Sequence, residues 1–419
     1  MHYLYNFKNT FFCYLLLVIS CGNHPSKEKL GELSSNSKEV VRENPGIIVG
    51  ANKVFSYLPS LKGKKIAIVA NQTSVIFKSE YGSESKDEYT HLVDSLLSLN
   101  VQIEKVFAPE HGFRGMADAG EHVMDGIDTK TGLSIISLYG KNRKPSKEQL
   151  KGIDVVLFDI QDVGVRFYTY IATLQLVMEA CADLSIPIIV LDRPNPNANY
   201  VDGPTMEKEH LGFLGLTTIP LVYGMTIGEY AEMINEEAWL NDKLKAQLSV
   251  IPLENYTHNS NYVLPIRPSP NLPNQQSVKL YPSLGLFEGT NVNAGRGSEN
   301  QFQRFGASFL DATYFDFDYI PIPNFGSKNP KQLNKTCYGR DLSTIKPPNE
   351  VTLKWIIEAY DHSTDKALFF NESGFTKHAG TRKLQQQITA GWNEERIKNA
   401  WATDIAKFKS IREKYLRYP

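Results

Sequence analysis

The sequence contains little cysteine, with four residues in a chain of 419. Two of them, Cys13 and Cys21, lie near the N-terminus, which leaves Cys181 and Cys337 for the body of the protein. Cys181 continues an apolar stripe of helical spacing, so we predict that it is a core residue. These positions predict neither a framework of disulfide bonds nor a cysteine-based metal site.

The chain also lacks an excess of charge, because 45 Lys and Arg residues face 46 Asp and Glu residues. A nucleic-acid partner is therefore not expected, since such proteins usually present a basic face. Several short signatures are missing as well: GxGxxG and the P-loop for nucleotides, GxSxG for a serine nucleophile, and HExxH for zinc. We predict a protein without a cofactor and without a metal site.

The N-terminal residues differ from the rest of the chain. Residues 11–19 form an apolar run that is too short to span a bilayer and has the proportions of a signal-peptide core. The sequence Ser20-Cys21-Gly22 that follows resembles a bacterial lipobox, in which Cys21 would carry the lipid. We therefore expect a signal peptide over 1–20, a flexible polar tether over 21–45 and a lipid anchor in the cell envelope, outside the cytoplasm. A plain secretory signal with an incidental cysteine is the alternative.

Residues 46–264 alternate short apolar runs with stretches of helical periodicity. The runs are typical of strands that are covered on both faces, and the alternation predicts a Rossmann-like α/β domain with a parallel sheet. Thr226 and Glu229 have the spacing of a capping box, which predicts a helix start there. The predicted strands cover residues 64–71, 101–109, 133–140, 154–162 and 186–194, and the helices include 91–99 and 167–184.

After residue 264 the chain becomes rich in Pro, Gly and Asn, then turns aromatic and finally helical. This change predicts a smaller C-terminal α+β domain over 265–419, with a cleft between the two domains.

Polar or ionisable residues follow every predicted strand. Because ligands of an open parallel sheet bind at the carboxyl ends of its strands, we expect these residues to mark a site. They are Asn71, Glu110 with His111, Tyr139, Asp159 with Asp162, and Asp192 with Arg193.

Two segments hold the densest groups of such residues. "FAPEHGFRG" contains Glu110, His111 and Arg114, and "FDIQDVGVRFYTY" contains Asp159, Asp162, Arg166 and Tyr168. A structural reading of the second segment is also open, in which an aspartate caps the following helix and Arg166 pairs with a carboxylate. The C-terminal part adds Asn271 in "RPSPNLPN" and, in "GLFEGTNVNAGRGS", Glu288, Asn291, Asn293 and Arg296.

Carboxylate acid–base chemistry suits this set of side chains. Two carboxyl groups in different environments are the minimal equipment for glycoside hydrolysis, and amides and arginines suit a polar sugar. Two other functions remain open on these residues alone: a lipid-anchored protein that only binds a cell-wall sugar, and an esterase or amidase that acts on cell-wall material.

With these segments in order, the sequence resembles the NamZ family of exo-β-N-acetylmuramidases. The resemblance rests on the segments above together with "LDRPNP", "VYGMTIGEYA" and "YPSLG", and it covers the chain from about residue 46 onwards. It implies release of N-acetylmuramic acid from the non-reducing ends of peptidoglycan-derived muropeptides or disaccharides during cell-wall turnover and recycling.

The resemblance also implies roles for single residues. It assigns the catalytic glutamate to Glu110, as general acid, and an active-site tyrosine to Tyr168, with Tyr170 in the same stretch. Asp159, Asp162 and Glu288 are then candidates for the second catalytic group, and Arg166, Arg193 and Arg296 for binding the lactyl carboxylate of the substrate. The remaining predicted substrate contacts are Asn71, His111, Arg114, Asn271, Asn291 and Asn293.

Overall fold

The structure of the protein is a computed structural model, which describes residues 46–78, 88–115 and 125–419. The predicted signal peptide and tether lie outside these residues. The helices are Val54–Leu61 (α1), Leu92–Ser98 (α2), Lys147–Leu150 (α3), Tyr170–Asp183 (α4), Ile227–Glu236 (α5), Gln275–Leu284 (α6), Lys354–Asp361 (α7), Glu372–Ala379 (α8), Lys383–Thr389 (α9) and Glu394–Arg412 (α10). The strands are Lys65–Ala70 (β1), Val75–Phe77 (β2), Tyr89–His91 (β3), Gln102–Ala108 (β4), Gly126–Ile127 (β5), Ser134–Ser137 (β6), Val155–Asp159 (β7), Ile188–Leu191 (β8), Leu248–Ile251 (β9), Arg304–Ala307 (β10), Phe317–Tyr319 (β11) and Cys337–Asp341 (β12).

A seven-stranded sheet organises the larger, N-terminal part of the molecule, in the order β5-β6-β4-β1-β7-β8-β9. All neighbours pair in parallel except β5, which runs antiparallel to β6. Without β5, the chain order of the strands is that of the Rossmann arrangement, in which the direction of winding reverses beside the first strand. The predicted Rossmann-like fold is confirmed, and the predicted strands match β1, β4, β6, β7 and β8.

Alternation of side chains along the central strands explains why the sheet is buried on both faces. In β1, Ala67 and Val69 join one hydrophobic cluster, and Ile66, Ile68 and Ala70 join the other. The same division holds in β7 and β8, so each strand contributes apolar side chains to two layers and reads as a continuous hydrophobic run. Cys181 of α4 is buried in the first layer, as predicted.

Helix α5 begins at the predicted capping box. The Thr226 side chain accepts from the Glu229 backbone N–H, and the Glu229 side chain accepts in return from the Thr226 backbone N–H. Two of the backbone donors that every helix start leaves unpaired are thereby satisfied.

The smaller C-terminal part combines the antiparallel sheet β10-β12-β11 with the helices from α6 onwards. Its core is continuous with the first hydrophobic layer, because Phe287, Phe305 and Trp355 belong to the same cluster as Val69 and Phe158. The described residues accordingly belong to one compact unit. The domain boundary near residue 265 stays a prediction.

Candidate active site

A pocket with a cavity volume of about 920 Å³ lies beyond the carboxyl ends of β4 and β6. The N-terminal part lines one side of it, and loops and helices from after residue 264 line the other. Glu110, His111, Tyr139, Tyr168, Asn271, Glu288 and Arg296 are among its lining residues.

The turn after β4 presents Glu110 to this pocket. The backbone N–H of Gly112 donates to the carbonyl of Pro109 over 3.0 Å, which closes a four-residue turn. His111 takes a left-handed φ of 71° inside the turn and is only 4% exposed. A non-glycine residue in this conformation costs on the order of 1 kcal/mol, and such strain is concentrated at functional sites.

Hydroxyl groups surround the Glu110 carboxylate. The Thr169 hydroxyl donates to Glu110 Oε2 over 3.0 Å, and the Tyr170 hydroxyl approaches the Glu110 backbone carbonyl at 3.4 Å. Thr169 is the N-cap residue of α4 but makes no side-chain cap of its own helix, because its hydroxyl is directed to Glu110. The loop between β7 and α4 therefore fixes the Glu110 side chain.

Tyr139, just past β6, is the third hydroxyl beside Glu110. Burial raises the pKa of Tyr139, and the negative charge of Glu110 together with a hydrogen bond to it raises that pKa further. The phenol consequently stays protonated at neutral pH and serves as a donor to the carboxylate.

Tyr168 lines the pocket with its ring and is 7% exposed. Its hydroxyl donates to the Pro268 carbonyl over 2.7 Å, and its ring packs edge-on against Tyr170 at 4.7 Å between centroids. Burial raises the pKa of Tyr168 well above its ordinary value, so this phenol is neutral as well.

Glu288 supplies the second carboxylate of the pocket, from the short 3-10 turn that continues α6. Arg296 forms a bidentate ion pair with it, with Nε to Oε1 at 3.2 Å and Nη2 to Oε2 at 3.0 Å. Burial alone would raise the pKa of Glu288, but the charges of Arg296 and Lys331 outweigh burial and hold that pKa at about 2. Glu288 is therefore ionised at any physiological pH.

Asp159 and Arg193 do not line the pocket. They form a buried ion pair, 0% and 2% exposed at the side chain, with Arg193 Nε to Asp159 Oδ1 at 2.5 Å and Nη2 to Oδ2 at 2.8 Å. Arg193 Nη2 also donates to the Val75 carbonyl. The pair joins the carboxyl ends of β7 and β8, which is a structural arrangement and leaves neither group facing the cavity.

Asp162 also lies outside the pocket lining, at 3% exposure. It accepts hydrogen bonds from the Tyr223 hydroxyl and from the Gly164 backbone N–H, while its Oδ1 has no partner among the described residues. Burial raises the pKa of Asp162 to about 6. The structural alternative, in which an aspartate of this segment caps the following helix, is wrong: Asp162 bonds to Tyr223 and to its own loop, and α4 has Thr169 as its N-cap residue without a side-chain cap.

Arg166 is fully buried behind the pocket wall, and no carboxylate of the described residues pairs with it. Its guanidinium donates to the carbonyls of Leu214, His378 and Ala379. The last two lie at the C-terminal end of α8, where the helix dipole favours a cation. Arg166 therefore fixes two walls of the pocket without entering it.

The other predicted contacts are divided between lining and supporting positions. Asn271 lines the pocket, and its amide donates to the Gly326 carbonyl over 2.5 Å. Asn293 does not line it but donates to the carbonyls of Arg296 and Lys331, which do. Three more lie away from the cavity: Asn71 bonds to Thr73, Arg114 pairs with Asp128 at 2.8 Å, and Asn291 donates to the Leu368 carbonyl.

Tyr139, expected to mark the site because it follows a strand, does line the pocket, whereas several other lining residues were not predicted. Among these, Thr169 and Tyr281 lie inside the motifs quoted above. Lys331 and His378 carried no local signal, because only the tertiary fold brings the loop 326–331 and the end of α8 to the pocket.

The described ranges hold neither a candidate metal cluster nor a helix that could span a membrane. Within residues 46–78, 88–115 and 125–419, no group of three or more His, Cys, Asp or Glu side chains is placed to hold a metal ion. In the same part of the chain, every helix is too short or too polar to cross a membrane.

Comparison with known proteins matches both parts of the chain. Residues 66–276 match the family model for the N-terminal part of the exo-β-N-acetylmuramidase NamZ, and residues 279–418 match the model for its C-terminal part. The chain is 35% identical over 407 residues to the peptidoglycan β-N-acetylmuramidase NamZ of Bacillus subtilis, covering 92% of this chain and 94% of that protein.

Two crystal structures of DUF1343 family proteins from Bacteroides fragilis are similar as well. One is 40% identical with a TM-score of 0.79, and the match covers 89% of this chain and 99% of the other. The second is 27% identical with a TM-score of 0.74, covering 90% and 100%.

Proposed function

Since the chain belongs to the NamZ family of exo-β-N-acetylmuramidases and is a glycosidase of cell-wall material, we propose that it releases terminal β-linked N-acetylmuramic acid from the non-reducing ends of peptidoglycan fragments. Muropeptides or disaccharides would be its substrates, and cell-wall turnover and recycling its role. The observation that carries the proposal is the contrast between the two carboxylates of the pocket.

The contrast supports Glu110 as the carboxyl group that donates the proton. Glu288 is held ionised by Arg296, with a pKa of about 2, so it has no proton to give near neutral pH. Glu110 contacts the hydroxyls of Thr169 and Tyr139 instead. Two carboxyl groups in such different surroundings take different roles, and Glu110 is the general acid that protonates the glycosidic oxygen.

Glu288 then takes the second catalytic role. Of the three candidates, it alone lines the pocket, because Asp159 and Asp162 are buried behind its wall. A carboxylate that stays ionised can stabilise the positive charge that develops on the sugar ring, or accept a proton from the attacking water.

The test compares two substrates that differ in the leaving group. In N-acetylmuramyl-β-1,4-N-acetylglucosamine the departing sugar oxygen needs a proton, whereas 4-nitrophenolate leaves without one. Glu110→Gln should lower kcat on the disaccharide at least about 100-fold, and markedly less on 4-nitrophenyl β-N-acetylmuramide. Glu104→Gln, an exposed change on the strand that precedes Glu110, is the matched control and should behave as wild type.

Each possible result bears on a separate part of the proposal. Equal losses of Glu110→Gln on both substrates would argue against its role as general acid. If the wild-type enzyme hydrolyses the corresponding N-acetylglucosaminide but not the muramide, the substrate assignment is wrong.

We propose further that the enzyme is lipid-anchored through Cys21 and faces the periplasm or lies at the outer membrane. The support is the apolar run followed by Ser20-Cys21, which lies outside the described residues. Cys21→Ser should move the protein from the membrane fraction to the soluble fraction of cells and remove a lipid adduct in mass spectrometry. A variant that stays in the membrane fraction would contradict the anchor.

A further inference from the structure

The cations of the pocket differ in whether their charge is already neutralised. Arg296 gives Nε and Nη2 to Glu288, and the ammonium of Lys331 donates to three backbone carbonyls, at 2.7–3.0 Å. An ammonium has three N–H donors, so Lys331 has none left for a ligand. Arg166 and Arg193 are buried behind the wall. The remaining cations of the pocket lining, Arg143 among them, lie at its rim.

Arg143 lies at this rim, on the loop that follows β6. It is exposed, lines the pocket, and has no ion pair with any carboxylate of the described residues. Its guanidinium lies over the ring of Phe213, 4.2 Å from the centroid, and Phe213 lines the pocket too. An arginine that stacks on an aromatic ring keeps its N–H groups available at the edge of the guanidinium plane.

Arg143 and Glu110 both act on the same pocket residue, Tyr139. Burial and the charge of Glu110 raise the pKa of Tyr139, and the positive charge of Arg143 opposes them. The Tyr139 ring is 6.2 Å from the Phe213 ring. A group bound by Arg143 would accordingly belong to the same sugar residue whose glycosidic oxygen is protonated by Glu110.

We propose that Arg143, oriented by Phe213, binds the lactyl carboxylate of the terminal N-acetylmuramyl residue and so determines the preference for muramic acid over glucosamine. The inference rests on the proposed function and adds a specificity residue to it. A guanidinium fork matches a carboxylate with two parallel hydrogen bonds, whereas the other exposed rim cations, Lys328 and Lys377, offer only point charges on flexible stems.

The experiment varies the carboxylate and the arginine separately. The substrates are 4-nitrophenyl β-N-acetylmuramide and its lactyl amide, which keeps the shape but not the charge. Wild type should favour the acid about 10- to 100-fold in kcat/KM, as expected for charge-assisted hydrogen bonds. Arg143→Met should lose this preference by slowing on the acid alone, and Arg143→Lys should retain part of it.

Matched variants separate recognition from general electrostatics. Lys141→Met removes one positive charge from the same loop at an exposed position outside the pocket lining, and it should keep the full preference. Lys377→Met should keep it as well. Phe213→Leu leaves the charge of Arg143 in place but removes the aromatic ring beneath it, so this variant should show a reduced preference for the acid.

A preference for the acid that survives in Arg143→Met would overturn the inference and leave the proposed function intact, as would equal losses on acid and amide. If wild type hydrolyses neither compound, the proposed function fails, and calorimetry still tests Arg143. Tighter binding of N-acetylmuramic acid than of its lactyl amide by wild type, abolished in Arg143→Met, would support the inference; any other binding result would overturn it.

Discussion

Replacing either member of the Asp159–Arg193 ion pair should destabilise the fold by about 3–5 kcal/mol while kcat stays within about twofold of wild type. Both side chains are almost completely buried, and two hydrogen bonds of 2.5 and 2.8 Å join them. Arg193→Met leaves the Asp159 charge without its partner, and Asp159→Asn does the same to Arg193. An isolated buried charge is the costly element, so each single change removes more than the net value of the pair.

The double variant Asp159→Asn/Arg193→Met leaves neither charge in the interior. Its loss of unfolding free energy should therefore be smaller than the sum of the two single losses, by at least about 2 kcal/mol. Urea is the suitable denaturant, because guanidinium would screen the charges under study. Unfolding followed by circular dichroism gives the four free energies of this cycle, and initial rates on the muramide give kcat for each folded protein.

Two results would refute the structural role of the pair. Additive losses would mean that the charges do not depend on each other. A fall of 100-fold or more in kcat for Asp159→Asn, with unchanged stability, would mean that Asp159 acts in the chemistry, as the resemblance had allowed. Val75→Ala is not needed as a control for the third contact of Arg193, since that contact uses the backbone carbonyl.

Three further changes test neighbouring parts of the structure. Burial raises the native pKa of Asp162 from 3.8 to about 6, so the native state keeps a proton that the unfolded chain releases; Asp162 should therefore contribute a fall of about 2 kcal/mol to the free energy of unfolding as pH rises from 4 to 6, and Asp162→Asn should remove this contribution in pH-dependent urea titrations. Arg166→Met leaves three buried carbonyls without their donor and should lower the free energy of unfolding by at least about 2 kcal/mol, with Arg166→Lys less affected in the same assay. Glu288→Gln should lower kcat without moving the acidic limb of the pH–rate profile above pH 4, since Glu288 titrates near 2; a moved limb would contradict its assignment as the permanently ionised carboxylate.

The sequence was sufficient for the fold because the central strands are buried on both faces. Residues 66–70 of β1 contribute alternately to two hydrophobic layers, so both odd and even positions must be apolar. Such a run, repeated between helical segments, is nearly specific to a parallel sheet. The helix start at Thr226 was equally predictable, since a capping box is a local hydrogen-bond pattern that needs no tertiary contact.

Placement of the site residues was less predictable, because a residue type does not reveal which way its side chain points. Arg166, Arg193 and Arg296 look equivalent as partners for a substrate carboxylate, yet the first is held by backbone carbonyls, the second by Asp159 and the third by Glu288. Arg143 had no motif around it, and its position over Phe213 depends on two loops that are about 70 residues apart in the sequence.

The pocket lies where it does because side chains fill the crevice at the point where the sheet reverses its winding. In a Rossmann arrangement that point lies beside β1, between the carboxyl ends of β1 and β7, and an open crevice there takes a dinucleotide. Here side chains of the protein occupy it: Thr73 accepts from the Gln161 backbone N–H, Ser74 donates to the Asp159 carbonyl, and Arg193 pairs with Asp159.

These contacts join the ends of β1, β7 and β8 and fill that crevice, and the cavity lies beside the ends of β4 and β6 instead. The polar residues that follow the five strands therefore have two roles. Those after β1, β7 and β8 bond to one another and fill the crevice as a polar plug, whereas Glu110 after β4 and Tyr139 after β6 line the pocket. The turn that carries Glu110 lies next to the plug, and Thr169, at the N-terminus of α4, connects the two. A scaffold that usually binds cofactors can in this way position the proposed proton donor of a glycosidase, because hydrogen bonds at the filled edge hold the residues around Glu110.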